Sequence, residues 1–352
     1  MNRLVGIEQL REFDEIIDVR SPSEFGLDHI PNAINAPVLN DQERAEVGTI
    51  YKQVNPFEAK QVGASIVARN IANAIDHIFV GRPKKWKPLI YCWRGGQRSA
   101  AMAHILRQIG WNAHQLEGGY KAYRKYVIEE LEHKPGALSF IVLCGLTGVG
   151  KTTILQELAK KGQQVLDLEE LANHKGSLLG KPATSDQPSQ KHFETRLWER
   201  LTNFKPSQVV FTESESRKIG NLRIPEELMN RIRIGDTIRI EASIDERINL
   251  IIEEYPHFLE NPNRLKMTIR SLQQLHSNKT VQAWEDLIDK QNWKGFVGDI
   301  MIKHYDPAYQ KSSIQNFPKL SSATTFRVDD YSDNKYQKIA IDIISSTNKN
   351  TI

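Results

Sequence analysis

Leu138-Ser-Phe-Ile-Val-Leu-Cys144 runs without a break into Gly145-Leu-Thr-Gly-Val-Gly150 and then into Lys151-Thr-Thr153. An apolar run, a glycine-bearing turn and a helical pattern from Lys151 to Lys161 read as strand, loop and helix. The eight residues Gly145 to Thr152 satisfy G-x-x-x-x-G-K-[ST] at every fixed position. In such a loop Gly145, Gly148 and Gly150 let backbone N–H groups, that of Thr147 among them, turn toward a diphosphate. Lys151 adds a point charge, and the Thr152 hydroxyl, with Thr153 beside it, is suited to ligate Mg²⁺. A chance match without function is the plain alternative, and the flanking strand and helix argue against it. A phosphate loop implies a polyphosphate before it implies any one nucleotide.

Further strands are expected at Gln208 to Thr212 and Thr237 to Ala242, giving a mostly parallel sheet with covering helices. The first ends in Glu213-Ser-Glu215-Ser-Arg217, so Glu213 is a candidate metal-holding carboxylate, with Glu215 and Arg217 close behind. A solvated strand end explains Glu213 equally well. Asp167-Leu-Glu169 follows another apolar run and offers a further carboxylate. Asn173-His174-Lys175-Gly176-Ser177 suits anion or substrate contact, or simply ends a helix. Lys181 to Gln190 reads as a mobile surface loop, Leu259 to Lys319 as polar helices, and Ser345 to Ile352 as a polar tail.

The first half also alternates strand-like and helix-like runs: Glu15 to Val19, Leu89 to Cys92, then a helical Ser99 to Ile109. Its charged helical end meets Pro135 and Gly136, which places a boundary between domains 1–134 and 135–352. Leu89-Ile-Tyr-Cys92-Trp-Arg94-Gly-Gly-Gln-Arg98-Ser99 sets a cysteine between strand and helix across a Gly-Gly turn. Inward-facing N–H groups and the helix N-terminus would stabilise a thiolate or persulfide on Cys92, with Arg94 and Arg98 as fixed positive charges. The plain alternative is a buried structural cysteine. Asp18 and Arg20 read as a structural ion pair, His29 as a turn cap and Cys144 as a core residue.

The chain has 352 residues, 39% hydrophobic and 26% charged, which fits two soluble globular domains. Its net charge of +4 divides evenly between the two halves, so neither is a polycation. With only two cysteines, no disulfide framework is expected. No apolar run approaches membrane-spanning length and no secretory h-region opens the chain, so no membrane partner and a cytoplasmic location are expected.

About a third of the chain resembles rhodanese domains: Ile17-Asp-Val-Arg-Ser-Pro-Ser-Glu-Phe25, His29-Ile-Pro-Asn-Ala33, the Cys92 loop, and Leu116-Glu-Gly-Gly-Tyr120. In that resemblance Cys92 carries sulfur or selenium. Five residues separate Cys92 from Arg98 where a rhodanese loop usually has four, and this spacing also fits Cys-dependent phosphatases. With Ala172-Asn-His-Lys-Gly-Ser177 and Glu213-Ser-Glu-Ser-Arg-Lys-Ile-Gly220, the two loops together resemble the tRNA 2-selenouridine synthase family over roughly residues 5 to 260. The resemblance implies an α/β protein: an N-terminal rhodanese-like parallel-sheet domain and a C-terminal P-loop NTPase-like domain with additional helices.

It further implies a transferase that converts wobble 2-thiouridine to 2-selenouridine. Geranyl diphosphate alkylates the sulfur, and selenium from selenophosphate, supplied by selenophosphate synthetase, then displaces the geranylthiol. Cys92 would handle selenium and Lys151 and Thr152 the diphosphate with Mg²⁺, with no tightly bound cofactor. The tRNA anticodon loop would be the partner, and Arg264, Lys266, Arg270, Trp284, Trp293 and Lys294 are candidates for a phosphate-tracking face. The competing readings are an ATP-dependent sulfurtransferase, a phosphatase-like domain fused to a nucleotide switch, and a regulatory binding protein. Nucleotide turnover favours the first, and function surviving in Cys92→Ser favours the last.

Overall fold

The computed structural model describes residues 3–176, 186–256, 261–329 and 332–349. The chain divides into two compact units, residues 1–131 with 188–199, and residues 132–187 with 200–352. Sequence alone placed one boundary, at 134, and kept 188–199 in the second domain. That segment joins the first unit because it supplies partners there. Tyr123 donates its hydroxyl to Thr195 at 3.3 Å, Trp198 packs edge-on against Tyr123 and Tyr126, and Arg124 pairs with Glu194.

The first unit is built on β1 (Leu4–Val5), β2 (Glu15–Asp18), β3 (Ile34–Asn35), β4 (Pro88–Tyr91) and β5 (His114–Leu116), in the order β1-β5-β4-β2-β3. All its pairings are parallel. All four residues of β4 are buried, as a central parallel strand covered on both faces requires. After β4 the chain turns to β5 on one side, and after β2 it turns to β3 on the other. A crevice therefore opens at the carboxyl ends of these two strands, the position where open α/β sheets bind ligands. Cys92 follows β4 there, and Arg20 follows β2.

The second unit repeats the principle with β6 (Phe140–Cys144), β7 (Gln164–Leu166), β8 (Val210–Glu213), β11 (Asp236–Ala242) and β12 (Thr324–Val328). Their order is β12-β11-β6-β8-β7 and every pairing is parallel, while β9 (Lys218–Ile219) and β10 (Leu222–Arg223) form a separate antiparallel hairpin. The switch point lies between β6 and β8, so the glycine loop after β6 and Glu213 at the end of β8 flank one crevice.

Helix Lys151–Lys160 buries Ile154, Leu155 and Leu158 in a core shared with Ile339, Ala340 and Ile343 of helix Asp333–Lys349. The supposed polar tail from Ser345 is thus mostly the end of a helix through Lys349, anchored by that apolar stripe. The expected polar helices are present at 262–270, 278–289, 293–300 and 306–316, the first three packed around a core that contains Trp284. Of the expected loop Lys181 to Gln190, residues 181–185 lie outside the described residues, as do Ser177 and Gly180; Gln190 opens a helix. Among the described residues no helix is long and apolar enough to cross a membrane.

Candidate functional site

In the first unit, Cys92 is 3% exposed, and its Sγ accepts the Gly96 N–H at 3.3 Å and the Ser99 hydroxyl at 3.2 Å. Gln115 fixes this geometry. Its amide donates to Gly95 O at 2.6 Å and to Ser99 Oγ at 3.0 Å, and the Ser99 hydroxyl has two acceptors in reach, Gly96 O at 3.1 Å and Cys92 Sγ at 3.2 Å. The loop's carbonyls are satisfied by the next helix: Tyr120 N–H reaches Cys92 O at 2.8 Å and Lys121 N–H reaches Trp93 O at 3.0 Å. Such an approach requires glycine at 119, where φ is +58° and a Cβ would stand 2.2 Å from Cys92 O. The Gly96 N–H and the Ser99 hydroxyl thus both lie within hydrogen-bond reach of one buried sulfur.

The two arginines expected around the sulfur serve differently. Arg98 pairs with Glu24 at 2.9 Å. Burial pushes the Glu24 carboxyl up, but Arg98 and the Ser21 N–H outweigh it and hold it below its ordinary value. The fixed positive charge expected of Arg98 is thus held in an ion pair with Glu24. Arg94 is exposed on the loop. Asp18 and Arg20 form the buried ion pair expected, at 2.6 Å, with the guanidinium 4.0 Å from the Tyr120 ring centroid. The His29 ring bonds Phe25 O at 3.0 Å and so caps a helix end.

In the second unit, Gly148 and Gly150 both have φ of +81°, and the loop they shape borders a cavity of about 290 Å³. Thr147, Gly148, Gly150, Lys151, Thr152, Glu213 and Glu215 line it, whereas Gly145 and Thr153 stand behind the lining. Lys151 Nζ donates to Gly145 O at 2.7 Å. Thr152 Oγ1 donates to Glu169 Oε2 at 3.2 Å, so the carboxylate beside the hydroxyl is Glu169 and not Glu213. Glu213 instead accepts the N–H groups of Leu168 and Glu169, at 2.7 and 3.1 Å, and ties β8 to the neighbouring turn.

Burial and the crowding of like charges raise Glu213 well above its ordinary value, and burial with Glu169 nearby pushes Glu215 up to about 8. Burial likewise raises Glu169 and Asp167. Asp167 caps helix Leu168–Ala172 by accepting the Glu170 N–H at 2.8 Å, and Arg217 pairs with Glu226 at 3.2 Å. These two, with His174, are not among the cavity's lining residues; from the His174 loop, Lys175 and Gly176 are. Cys144 is fully buried and its thiol is pushed up to about 11 by burial, as a core residue's would be.

Sequence reasoning missed Arg247, Asp306 and Tyr309. Arg247 donates to Thr147 O at 2.8 Å and pairs with Asp306 at 2.5 Å. Tyr309 OH accepts the Gly145 N–H at 2.9 Å and bonds Ser214. No motif marks these residues; only the fold brings 247 and 306 to 147. The proposed basic face is also corrected. Trp284 is fully buried and donates to Asp299, Lys266 pairs with Asp289, and Arg270 pairs with Glu285. Among the described residues no three His, Cys, Asp or Glu side chains are grouped to hold a metal.

Residues 6–126 match the rhodanese-like domain family, and residues 138–268 match the family described as the tRNA 2-selenouridine synthase AAA domain. A Marinobacter nauticus protein named tRNA 2-selenouridine synthase is 35% identical over 250 residues, which are 68% of this chain and 65% of that protein. One of the same name from Shewanella halifaxensis is 29% identical over 324 residues, 84% of this chain and 87% of its own. The match thus spans about two thirds of the length of the Marinobacter relative. Among solved structures, a rhodanese-related protein from Thermoplasma volcanium aligns at 20% identity over 35% of this chain and 92% of its own, with a TM-score of 0.23. With a buried cysteine loop in one unit, a phosphate loop in the other, and matches to both in this order, the chain belongs to the tRNA 2-selenouridine synthase family.

Proposed function

We propose that this protein is an enzyme that replaces the sulfur of a wobble 2-thiouridine in tRNA with selenium, in two steps. In the first, a lone pair of the thiocarbonyl sulfur attacks C1 of geranyl diphosphate. The C–O bond electrons leave with diphosphate, and the uracil N3 proton is lost as a C2=N3 bond forms. In the second, the selenium of selenophosphate attacks C2 and the geranylthiolate departs with the C2–S electron pair; water then attacks phosphorus, and the P–Se bond breaks to release phosphate and leave its electron pair on selenium. Alkylation converts a poor leaving group into an acceptable one.

The observation that carries this reading is the Cys92 Sγ with two donors aimed at it, a setting suited to holding a chalcogen anion. In the other unit the glycine loop and Lys151 suit the diphosphate. The Thr152 hydroxyl and Glu169 carboxylate are adjacent oxygen donors of the kind Mg²⁺ takes together with phosphate oxygens, and they would hold that ion. Bound there, Mg²⁺ would neutralise charge on the leaving diphosphate.

The test separates the steps on 2-thiolated tRNA. Cys92→Ser is expected to keep geranylation and lose selenation. Lys151→Ala is expected to weaken use of geranyl diphosphate about ten- to a hundredfold, the worth of roughly 1.5–3 kcal/mol for a charge-assisted contact, while still selenating pre-geranylated tRNA. Equal loss of both steps in folded Cys92→Ser would overturn this division. Nucleotide turnover coupled to thiolation, with no use of a prenyl diphosphate, would support the ATP-dependent sulfurtransferase instead.

A further inference from the structure

The cavity at the glycine loop has two chemically different ends. One is formed by Gly148, Gly150, Lys151 and Thr152, with N–H groups and a cation for phosphate oxygens. On the helical side Leu250, Tyr255, Tyr305, Ala308 and Phe317 supply apolar surface, with Glu254, Tyr309, Ser312 and Ser313 among them. These come from helix Ile244–Glu254 and its end, from the π-helical turn Met301–Tyr305, and from helix Asp306–Asn316 and its end. A π-helical turn inside helical structure is uncommon, and where found it often marks a functional site. The tie from Arg247 to both Thr147 and Asp306 fixes this helical wall against the phosphate loop, and the Tyr309 bond to Gly145 N–H does the same. Lys175, also in the lining, pairs with Glu254 at 3.0 Å and stands 4.6 Å from the Tyr255 ring centroid, so the lysine cation lies beside the helical side.

We infer that the wall of Leu250, Tyr255, Tyr305, Ala308 and Phe317 is the binding site for the hydrocarbon chain of a short prenyl diphosphate whose diphosphate lies on the glycine loop. This rests on the proposed use of a prenyl diphosphate and adds where the chain goes and what limits its length. A ligand with a charged head and an apolar tail matches a cavity with one polar and one apolar side. The volume of about 290 Å³ lies at the bottom of the range for small-molecule pockets, roughly 300–1,000 Å³, and so favours a short chain over a long one. Ala308 is exposed on its helix yet lines the cavity, so a larger side chain there would fill space without disturbing the core.

Two measurements test it. By calorimetry on the full chain, geranyl diphosphate should bind at least tenfold more tightly than inorganic diphosphate, with a negative heat-capacity change from apolar burial. Equal affinity would overturn the inference. In geranylation assays on 2-thiolated tRNA, Ala308→Phe should raise the ratio of kcat/KM for the five-carbon over the ten-carbon prenyl diphosphate at least tenfold. Tyr305→Ala should shift the same preference toward the fifteen-carbon one. Unchanged ratios in variants with wild-type circular dichroism would overturn the wall while leaving the proposed function standing. No turnover of any prenyl diphosphate by the wild-type chain would remove both.

Discussion

Arg247 holds Asp306 through both of its terminal nitrogens, at 3.0 and 2.5 Å, while its Nε donates to Thr147 O on the phosphate loop. The arginine is 4% exposed and the aspartate 17%, so this pair lies largely out of water. One side chain thereby couples a catalytic-type loop near residue 147 to a helix that starts more than 150 residues later in the chain.

Breaking it should be expensive. Removing one partner of a buried pair leaves an uncompensated charge and destabilises by about 3–5 kcal/mol. With Asp306 partly exposed, Arg247→Met is expected near the lower end, about 3 kcal/mol, and Arg247→Met with Asp306→Asn should recover part of that loss. Urea denaturation measures both. A single variant within about 0.5 kcal/mol of wild type would show that the pair has no structural weight.

The Ser99 hydroxyl is one of two donors to Cys92 Sγ. Ser99→Ala removes it and leaves Gly96 N–H alone to position the sulfur. Selenation of pre-geranylated tRNA should then slow by about threefold to tenfold, in line with a lost hydrogen bond of roughly 0.5–1.5 kcal/mol, while geranylation is unchanged. An unaltered selenation rate would mean that Ser99 does not act through the sulfur.

Glu215 gives the ligand-free protein a pH dependence. Burial, with Glu169 next to it, holds its carboxyl neutral up to about pH 8, against an ordinary 4.5. Its raised value means that the folded state holds a proton the unfolded chain releases. The contribution to stability is complete below about 4.5 and fades as pH rises through 8. In chelator-treated protein the melting temperature should fall from pH 5 to pH 8, and Glu215→Gln should flatten that fall. Parallel curves for the two proteins would refute it.

What the sequence made legible was local. Cys92 and Lys151 each sit between a strand and a helix, and the spacing of neighbouring residues specifies both loops. Both Glu213 and the Asp167-Leu-Glu169 segment were candidate carboxylates; that Glu169 faces the Thr152 hydroxyl while Glu213 accepts from a backbone turn depends on the register of β7 and β8 against β6, which no spacing encodes. Arg247, Tyr309 and the carbon wall were invisible for the same reason. They lie on or beside helices Ile244–Glu254 and Asp306–Asn316, and no local signal shows that the fold closes these over the glycine loop. Trp284 misled in the other direction: an aromatic among basic residues suggested a stacking surface, while its helix buries it.

The corrected basic face bears on tRNA. Lys266 and Arg270 are engaged by Asp289 and Glu285, and Trp284 is inside the core, so of the basic residues first considered Arg264, Arg270 and Lys294 are exposed, Arg270 within its ion pair. A net charge of +4 over 352 residues adds no polycationic surface. Binding to tRNA should therefore rest on few phosphate contacts. Each releases counterions worth about 0.7–0.9 in the slope of log K against log salt, so roughly three to five contacts give a slope between about −2 and −4.5. The remaining affinity must come from shape and from unstacked anticodon bases. A fluorescence titration across a salt series, comparing 2-thiolated tRNA, its isolated anticodon stem-loop and unrelated duplex RNA, measures both parts. The tRNA and stem-loop should bind more tightly than the duplex at every salt concentration, and the difference should widen as salt rises because only the phosphate part is screened. A slope steeper than about −7, with all three RNAs bound alike, would place recognition on the backbone alone and count against a tRNA-specific enzyme.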